Sequence, residues 1–429
     1  MRLVVIGNSA AALAAVEAFR QIDKDSSITM ISKERGPAYS RVLLPYVLRH
    51  KVKPENIFIR DVSFYRSLNI DLHCEEEVVE VNVEEAFVGT RSGRRFPYDR
   101  LLVATGSDPV RPLVEGMEGE GVFSLWTRDD LEGLLPLFEK KGSVLVVGSG
   151  FVSLQAAWSA LASGLSVTLA VRSQRLMRRV ISEEAGCLLR DKILQAGVDL
   201  RLGVSIERIE RLEGGRLRVF LKGTDPFEVD FVIVAIGVCP NTAFLEGTGI
   251  QIDEGILVDH RMKTSVEGIY AAGDVAQGPT AFGEERAVHA IWPTAEEQGR
   301  VAGTNLAGVE LAYSGSLNMN VTQMFSVTVA SMGIFEEREG IESHSLSTEA
   351  GFIRVLYRGD VPVGGVVVGS SEDVALLGHL RPFIRKHRPC PQDLSELRKF
   401  FAMDLVGTIR REHLALPRGR LSIPKEGSR

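Results

Sequence analysis

The feature that most constrains this chain is a strand, glycine turn and helix that occurs twice. Leu3-Val-Val-Ile6 is a short apolar run, Gly7-Asn-Ser-Ala a turn, residues 11–20 an alanine-rich helix, and residues 27–32 the next strand. The same order returns as Val144-Leu-Val-Val147, the turn Gly148-Ser-Gly150-Phe-Val-Ser153, a helix to Ser163, a break at Gly164 and a strand over residues 166–171. Apolar runs this short, alternating with helices, suit parallel strands buried on both faces. The turns follow the dinucleotide pattern G-x-G-x-x-G or A. Its middle glycine lets a pyrophosphate touch the backbone, and the helix N-terminus favours the negative charge. The first turn reads Gly7, Ser9, Ala12, with serine in the middle; the second reads Gly148, Gly150, Ser153. One such turn is a weak signal, because an ordinary βα turn has the same composition. Two in one chain predict an α/β fold with two Rossmann-like dinucleotide-binding domains.

A third stretch belongs with the first turn. Gly268-Ile-Tyr-Ala-Ala-Gly-Asp274 reads as a buried strand ending in Gly273 and a carboxylate, with a helix-like segment after it. The backbone at Gly273 would approach a ligand beside Asp274. Glu34, after the second strand, is placed to accept ribose hydroxyl hydrogen bonds, although Ser32 sits where the acid more often falls. Arg41, among apolar residues of 37–46, implies a planar or anionic partner. Residues 71–95 alternate like a small antiparallel sheet, and the strand 101–104 ends in the turn at Thr105 and Gly106. After the second unit, the residue ending its last strand selects the nucleotide, an acid for a ribose hydroxyl or an arginine for a 2'-phosphate. Here Val171 is followed by Arg172, with Arg175, Arg178 and Arg179 close behind. Those residues lean towards NADPH over NADH without deciding between them. Residues 230–237 form another apolar strand, and Pro293 suits the first turn of a helix running to about Leu306. Strands over 322–332, 352–357 and 363–368, then helix, make an α+β tail. The expected domains are residues 1–110 with 238–310, residues 111–237, and a C-terminal domain of residues 311–429.

Composition excludes several classes. The formal charge of −6 over 429 residues argues against a chain-wide nucleic-acid footprint. Residues 381–429 nevertheless carry twelve Lys and Arg against five acids, either a solvated surface or a docking face for an acidic protein. Cys74, Cys187, Cys239 and Cys390 show no ligand or disulfide spacing, so no metal site is expected, and Cys239 reads as a packing residue. The chain enters its first strand without a signal peptide, and no apolar run approaches membrane-span length, so a cytoplasmic location is expected.

Taken in order, the Gly7 turn, residues 37–46, Ala104-Thr-Gly-Ser-Asp-Pro109, the Gly148 turn, Ala235-Ile-Gly-Val-Cys-Pro-Asn241, Ala272-Gly-Asp274 and residues 292–299 resemble the FAD-dependent pyridine nucleotide-disulfide oxidoreductase family. The similarity is to its branch without a disulfide, which includes rubredoxin and ferredoxin reductases, the flavin part of nitrite reductases and FAD subunits of anaerobic dehydrogenases. It covers about residues 1–310, with the remainder similar to the family's C-terminal interface domain. The resemblance implies FAD held by Gly7, Ser9, Ala12, Glu34, Arg41, Thr105, Gly106, Gly273 and Asp274. It implies NAD(P)H at Gly148, Gly150, Arg172 and Arg178, with hydride passing directly to the flavin. Phe151 matches the aromatic gate of that stack, and the helix after Trp292 would aim its N-terminus at the flavin. Relatives that reduce disulfides carry a cysteine where this chain has Val42, and a common lysine–glutamate pair is replaced by Tyr46 and Gln155. The implied activity is an FAD-dependent NAD(P)H oxidoreductase exchanging electrons with an iron–sulfur protein or partner subunit, alone or in a homo- or hetero-oligomer. The alternatives are an NAD(P)H oxidase or peroxidase, and a flavin-binding scaffold subunit.

Overall fold

We describe residues 1–348 and 351–401 of a computed structural model. Two five-stranded parallel sheets repeat one plan. In the first, Arg2–Ile6 lies between Ser27–Ile31 and Arg100–Val103, with Ile70–His73 and Ile269–Ala271 outside them. In the second, Ser143–Val147 lies between Ser166–Val171 and Phe231–Val234, with Asp199–Leu202 and Val122–Phe123 at the edges. Each central strand is buried on both faces; in the second sheet helices cover one face and the antiparallel strands Ile206–Arg211, Leu217–Leu221 and Phe227–Val229 the other, which is why its sequence is a continuous apolar run rather than an alternation. Ligands of such sheets bind beyond the carboxyl ends of the strands, and both glycine turns stand there.

The chain crosses between the sheets twice, and its two crossings pair as short antiparallel strands, Ser107–Pro109 with Val238–Pro240. Thr105 Oγ1 donates to the Asn241 carbonyl at 2.9 Å and Asn241 Nδ2 donates back to the Thr105 carbonyl at 3.1 Å. The first sheet is closed by the helices Ala10–Ile22 and Trp292–Leu306, which press backbone to backbone. A Cβ at Gly299 would lie 2.2 Å from the Ala11 carbonyl oxygen, and one at Gly303 2.0 Å from that of Ala15. Only glycine permits this approach, and it carries the start of the later helix to the Gly7 turn.

The third layer is an antiparallel sheet in the order Met319–Met324, Val327–Gly333, Val361–Gly369, Phe352–Arg358, Glu342–Ser347. The helix Ser371–Arg385 packs on it, started by a capping box between Ser370 and Asp373. This is the α+β tail, with three corrections to the expected elements. Residues 322–332 are a hairpin, not one strand, turning at Phe325 and Ser326, both left-handed (φ 47° and 65°). The segment after Asp274 is not helix-like: Ala276–Thr280 is a strand, because Ile256 and Leu257 pair with Ala276 and Gln277. Within residues 71–95 the first strand joins the large parallel sheet, and only Val78–Asn82, Phe87–Thr90 and Arg95–Pro97 are antiparallel. Of the basic stretch 381–429, residues 402–429 lie outside the described residues. No described helix is long and apolar enough to cross a membrane.

Candidate functional site

Both glycine turns open on one continuous cavity of about 2040 Å³. Gly7 has φ +120° and Gly148 φ +135°, and a Cβ would fall 2.1 Å from the Ala104 carbonyl oxygen at one and 2.2 Å from that of Ala235 at the other. A side chain is excluded at both by backbone, not by flexible atoms. Each turn is drawn over its sheet by the next strand, Gly7 N–H to the Ile31 carbonyl at 2.8 Å and Gly148 N–H to the Ala170 carbonyl at 3.0 Å. The helices that follow therefore point their free N–H groups into the cavity, an arrangement suited to two pyrophosphates.

Of the residues singled out in the sequence, Gly7, Ser9, Glu34, Arg41, Tyr46, Thr105, Gly106, Gly148, Gly150, Phe151, Arg172, Arg178, Gly273, Asp274 and Trp292 all line this cavity. Ala12 does not; it is 1% exposed and packs in the core, the place for the third fingerprint residue, which brings helix and strand together. Asp274 is partly buried, and desolvation pushes its carboxyl above the ordinary range, partly offset by the Ser107 hydroxyl at 3.2 Å and the nearby Arg41 charge. Gly273 N–H donates to Gln298 Oε1 at 2.9 Å, which ties this turn to the helix that begins at Trp292.

Glu34 and Arg41 form a tight network. Arg41 pairs with one oxygen of Glu34 while the Tyr39 hydroxyl donates to the other. Arg41 also donates to the Trp126 carbonyl at 2.7 Å and lies between the Tyr39 and Trp126 rings, 5.3 and 5.5 Å from their centroids. Trp126 in turn donates through Nε1 to the Ser107 carbonyl at 2.9 Å, and Arg128 N–H donates to the Tyr39 hydroxyl at 3.0 Å. A belt thus runs from Glu34 through Trp126 to Ser107 and Asp274 along the cavity wall. Trp126 escaped the sequence reading, since its segment carries no nucleotide motif. The available signal was its place before Thr127-x-x-Asp130, a capping box that fixes the start of the helix Arg128–Phe138.

Tyr46 and Gln155 do not meet as a pair. The Gln155 amide donates to the Gln323 carbonyl at 2.9 Å and to Thr322 Oγ1, tying the second glycine-turn helix to the C-terminal hairpin. Tyr46 instead stacks on Arg49, whose guanidinium is held between the Tyr46 and Trp158 rings at 4.6 and 4.0 Å. His289 is absent from the cavity wall; its Nδ1 shares a hydrogen bond with Ser316 Oγ at 2.7 Å, and burial pushes its pKa down. Cys239 is exposed on the cavity wall rather than packed, and all four cysteines are free.

The family model for pyridine nucleotide-disulphide oxidoreductases matches residues 1–299. The chain is 30% identical to the epsilon subunit of NADH-dependent phenylglyoxylate dehydrogenase from Aromatoleum evansii, over 85% of this chain and 87% of that one. It is similar to a ferredoxin reductase from Rhodopseudomonas palustris at TM-score 0.84 and 25% identity, covering 93% and 99% of the two chains. It also superposes on an engineered water-forming NADPH oxidase bound to NADPH, made from an oxidase of Lactobacillus brevis that was solved with NADH. There the TM-score is 0.85 at 20% identity, covering 91% and 92%. The chain belongs to the pyridine nucleotide-disulphide oxidoreductase family and is one of its NAD(P)H oxidoreductases, with FAD and NAD(P)H as cofactors.

Proposed function

We propose that this protein takes a hydride from a nicotinamide nucleotide held at the Gly148 turn and delivers the two electrons singly to an iron–sulfur protein or partner subunit. The observation that carries this reading is the single cavity that joins both dinucleotide turns, so that two cofactors held there face each other. FAD at the Gly7 turn would supply the step from two-electron to one-electron transfer. Glycine backbone at Gly7 and Gly273 leaves room for it, Asp274 and Glu34 offer carboxylates to its hydroxyls, and the helix start at Trp292 turns a positive end towards it. Phe151, directly after Gly150, is placed to order the nucleotide ring on the same wall.

The thiol chemistry of disulfide-reducing relatives has no counterpart at Val42, which is 58% exposed at the cavity, and Cys239 has no second cysteine bonded to it. Val321, 62% exposed on the edge strand of the C-terminal sheet, lines the cavity as well. An apolar mouth of this kind suits a protein acceptor that covers it. The engineered NADPH oxidase bears on the nucleotide end. Its recorded changes replace an acid by alanine, place Arg and Ser directly after it, and add another Arg five residues on. With the same spacing this chain reads Val171, Arg172, Ser173 and Arg178, which supports nucleotide binding at this turn.

The test is anaerobic rapid mixing of the FAD-loaded protein with NADH or NADPH while the flavin's visible absorbance is followed, then addition of a ferredoxin. Fast bleaching followed by ferredoxin reduction is expected. No bleaching by either nucleotide with FAD bound would sink the hydride reading, and bleaching without transfer to any iron–sulfur protein would sink the acceptor.

A further inference from the structure

Building on the hydride-transfer reading, we infer that the Tyr46 hydroxyl donates a hydrogen bond to the ring system of FAD, and that Arg49, buried behind the phenol, strengthens that donor and so favours the reduced flavin. The helix Leu44–Leu48 carries Tyr46, and Arg49 caps its end. This helix is tied to the one that follows the second glycine turn: Ser159 Oγ donates to the Pro45 carbonyl at 3.0 Å and Ser163 Oγ to the Leu48 carbonyl at 3.3 Å. Although Tyr46 turns from Gln155 to Arg49, it stays on the cavity wall, as do Phe151 and Gln155.

Arg49 is 9% exposed, and its guanidinium lies between the Tyr46 and Trp158 rings, on which Phe325 of the C-terminal hairpin packs in turn. Its Nε and Nη1 are buried without a hydrogen-bond partner, and no described carboxylate pairs with it. Arg20, the other buried arginine among the described residues, gives Nε to the Leu68 carbonyl at 2.9 Å and Nη1 to the Asp23 carbonyl at 3.1 Å. Burial lowers the Arg49 pKa and the Tyr46 hydroxyl partly offsets this, but an arginine stays charged. A buried cation without a counter-charge costs stability, so packing alone would be served better by an apolar side chain. Hydride transfer gives the charge a use. The nucleotide gives up two electrons with one proton and becomes NAD(P)+, and the flavin side of the cavity gains one negative charge. A hydroxyl that donates to developing charge makes the stronger kind of hydrogen bond. The guanidinium holds only donors, so it can meet the Tyr46 oxygen only as an acceptor and leaves the O–H directed away from itself. Standing over the ring face, it also draws electron density from the phenol and makes the O–H a better donor.

The experiment measures the midpoint potential of the bound flavin, reducing the FAD-loaded protein anaerobically with dithionite beside a dye of known potential, a readout that needs no nucleotide. Tyr46→Phe keeps the ring over Arg49 and removes the donor. It should shift the reduction equilibrium about tenfold towards oxidised flavin, a fall of about 30 mV for a two-electron couple. Arg49→Met, or Arg49→Gln if that protein fails to fold, should shift it in the same direction by a similar factor. The double variant should lie within about twofold of Tyr46→Phe, because the cation acts through the phenol. An unchanged potential in Tyr46→Phe or in the Arg49 variant, or additive shifts in the double variant, would overturn the inference. An Arg49 that only packs would lower apoprotein stability in urea and leave the potential where it was. Failure of NADH and NADPH to bleach the flavin would instead sink the hydride reading, and the dithionite potentials would still judge Tyr46 and Arg49.

Discussion

Replacing Gly299 by alanine tests the claim that helix contact, not sequence proximity, assembles the flavin side of the cavity. The added Cβ would stand 2.2 Å from the Ala11 carbonyl oxygen and 2.9 Å from both the carbonyl carbon and the Cα of Ala11. These are backbone atoms of the helix that follows the Gly7 turn, so no rotamer change relieves the clash. An ordinary contact begins near 3.4 Å, and the two helices must separate by about 1.2 Å, an overpacking strain of ~1–3 kcal/mol. The displaced helix carries Gln298, whose side chain holds Gly273 N–H at 2.9 Å, and Trp292 at its start. FAD affinity should thus fall together with stability. The assay is urea denaturation of the apoprotein paired with FAD titration by flavin fluorescence. Gly378→Ala serves as the control, because that glycine lies inside the helix Ser371–Arg385 with nothing within 4 Å of its added Cβ. The control should be unchanged or more stable by ~0.5–1 kcal/mol. A Gly299→Ala protein with wild-type stability and wild-type FAD affinity would refute the reasoning.

Two other changes probe the cavity wall. Asp274→Asn removes a partly buried carboxyl whose pKa desolvation has raised. A raised acid favours its protonated form in the folded state, so the wild-type apoprotein loses stability as pH rises from the unfolded aspartate value of about 4 through the folded value. The variant should be the more stable apoprotein at neutral pH, with that pH dependence flattened, yet bind FAD about 10- to 100-fold more weakly; denaturation from pH 4 to 8 beside a flavin titration checks both signs. Trp126→Phe deletes the indole N–H that donates to Ser107 and should cost ~1 kcal/mol in the apoprotein and accelerate FAD loss, measured by denaturation and by flavin release; unchanged values for both would remove Trp126 from the belt.

The parts legible in the sequence are those whose physics is local. A short apolar strand, a turn that excludes a Cβ and a helix with alanine on its packed face are each written within a dozen residues, and both Rossmann-like units were found from them. The 322–332 hairpin was not, because its apolar pattern runs on without a break and its turn uses Phe325 and Ser326 in the left-handed region, where asparagine and glycine are the usual signals. The strand Ala276–Thr280 was read as helix for a related reason. Its short, small residues carry no period, and its state is set by pairing with Ile256 and Leu257 some twenty residues earlier.

The same division explains the site. Residues that touch a cofactor through backbone or a charged group announce themselves by type, but the residues that hold them in place are chosen by distant partners. Ser107 meets Asp274 across 167 positions and Gln155 meets Gln323 across 168. Gln155 shows what this adds to a substitution read from resemblance alone. Its Nε2 must face the Gln323 carbonyl, which can only accept, so the carboxamide orientation is fixed by the C-terminal layer. Tyr46, the other neutral replacement, turns away to cover Arg49. Neither neutral residue is idle: Gln155 ties the helix after the second glycine turn to the C-terminal sheet, and Tyr46 covers a buried cation beside the cavity.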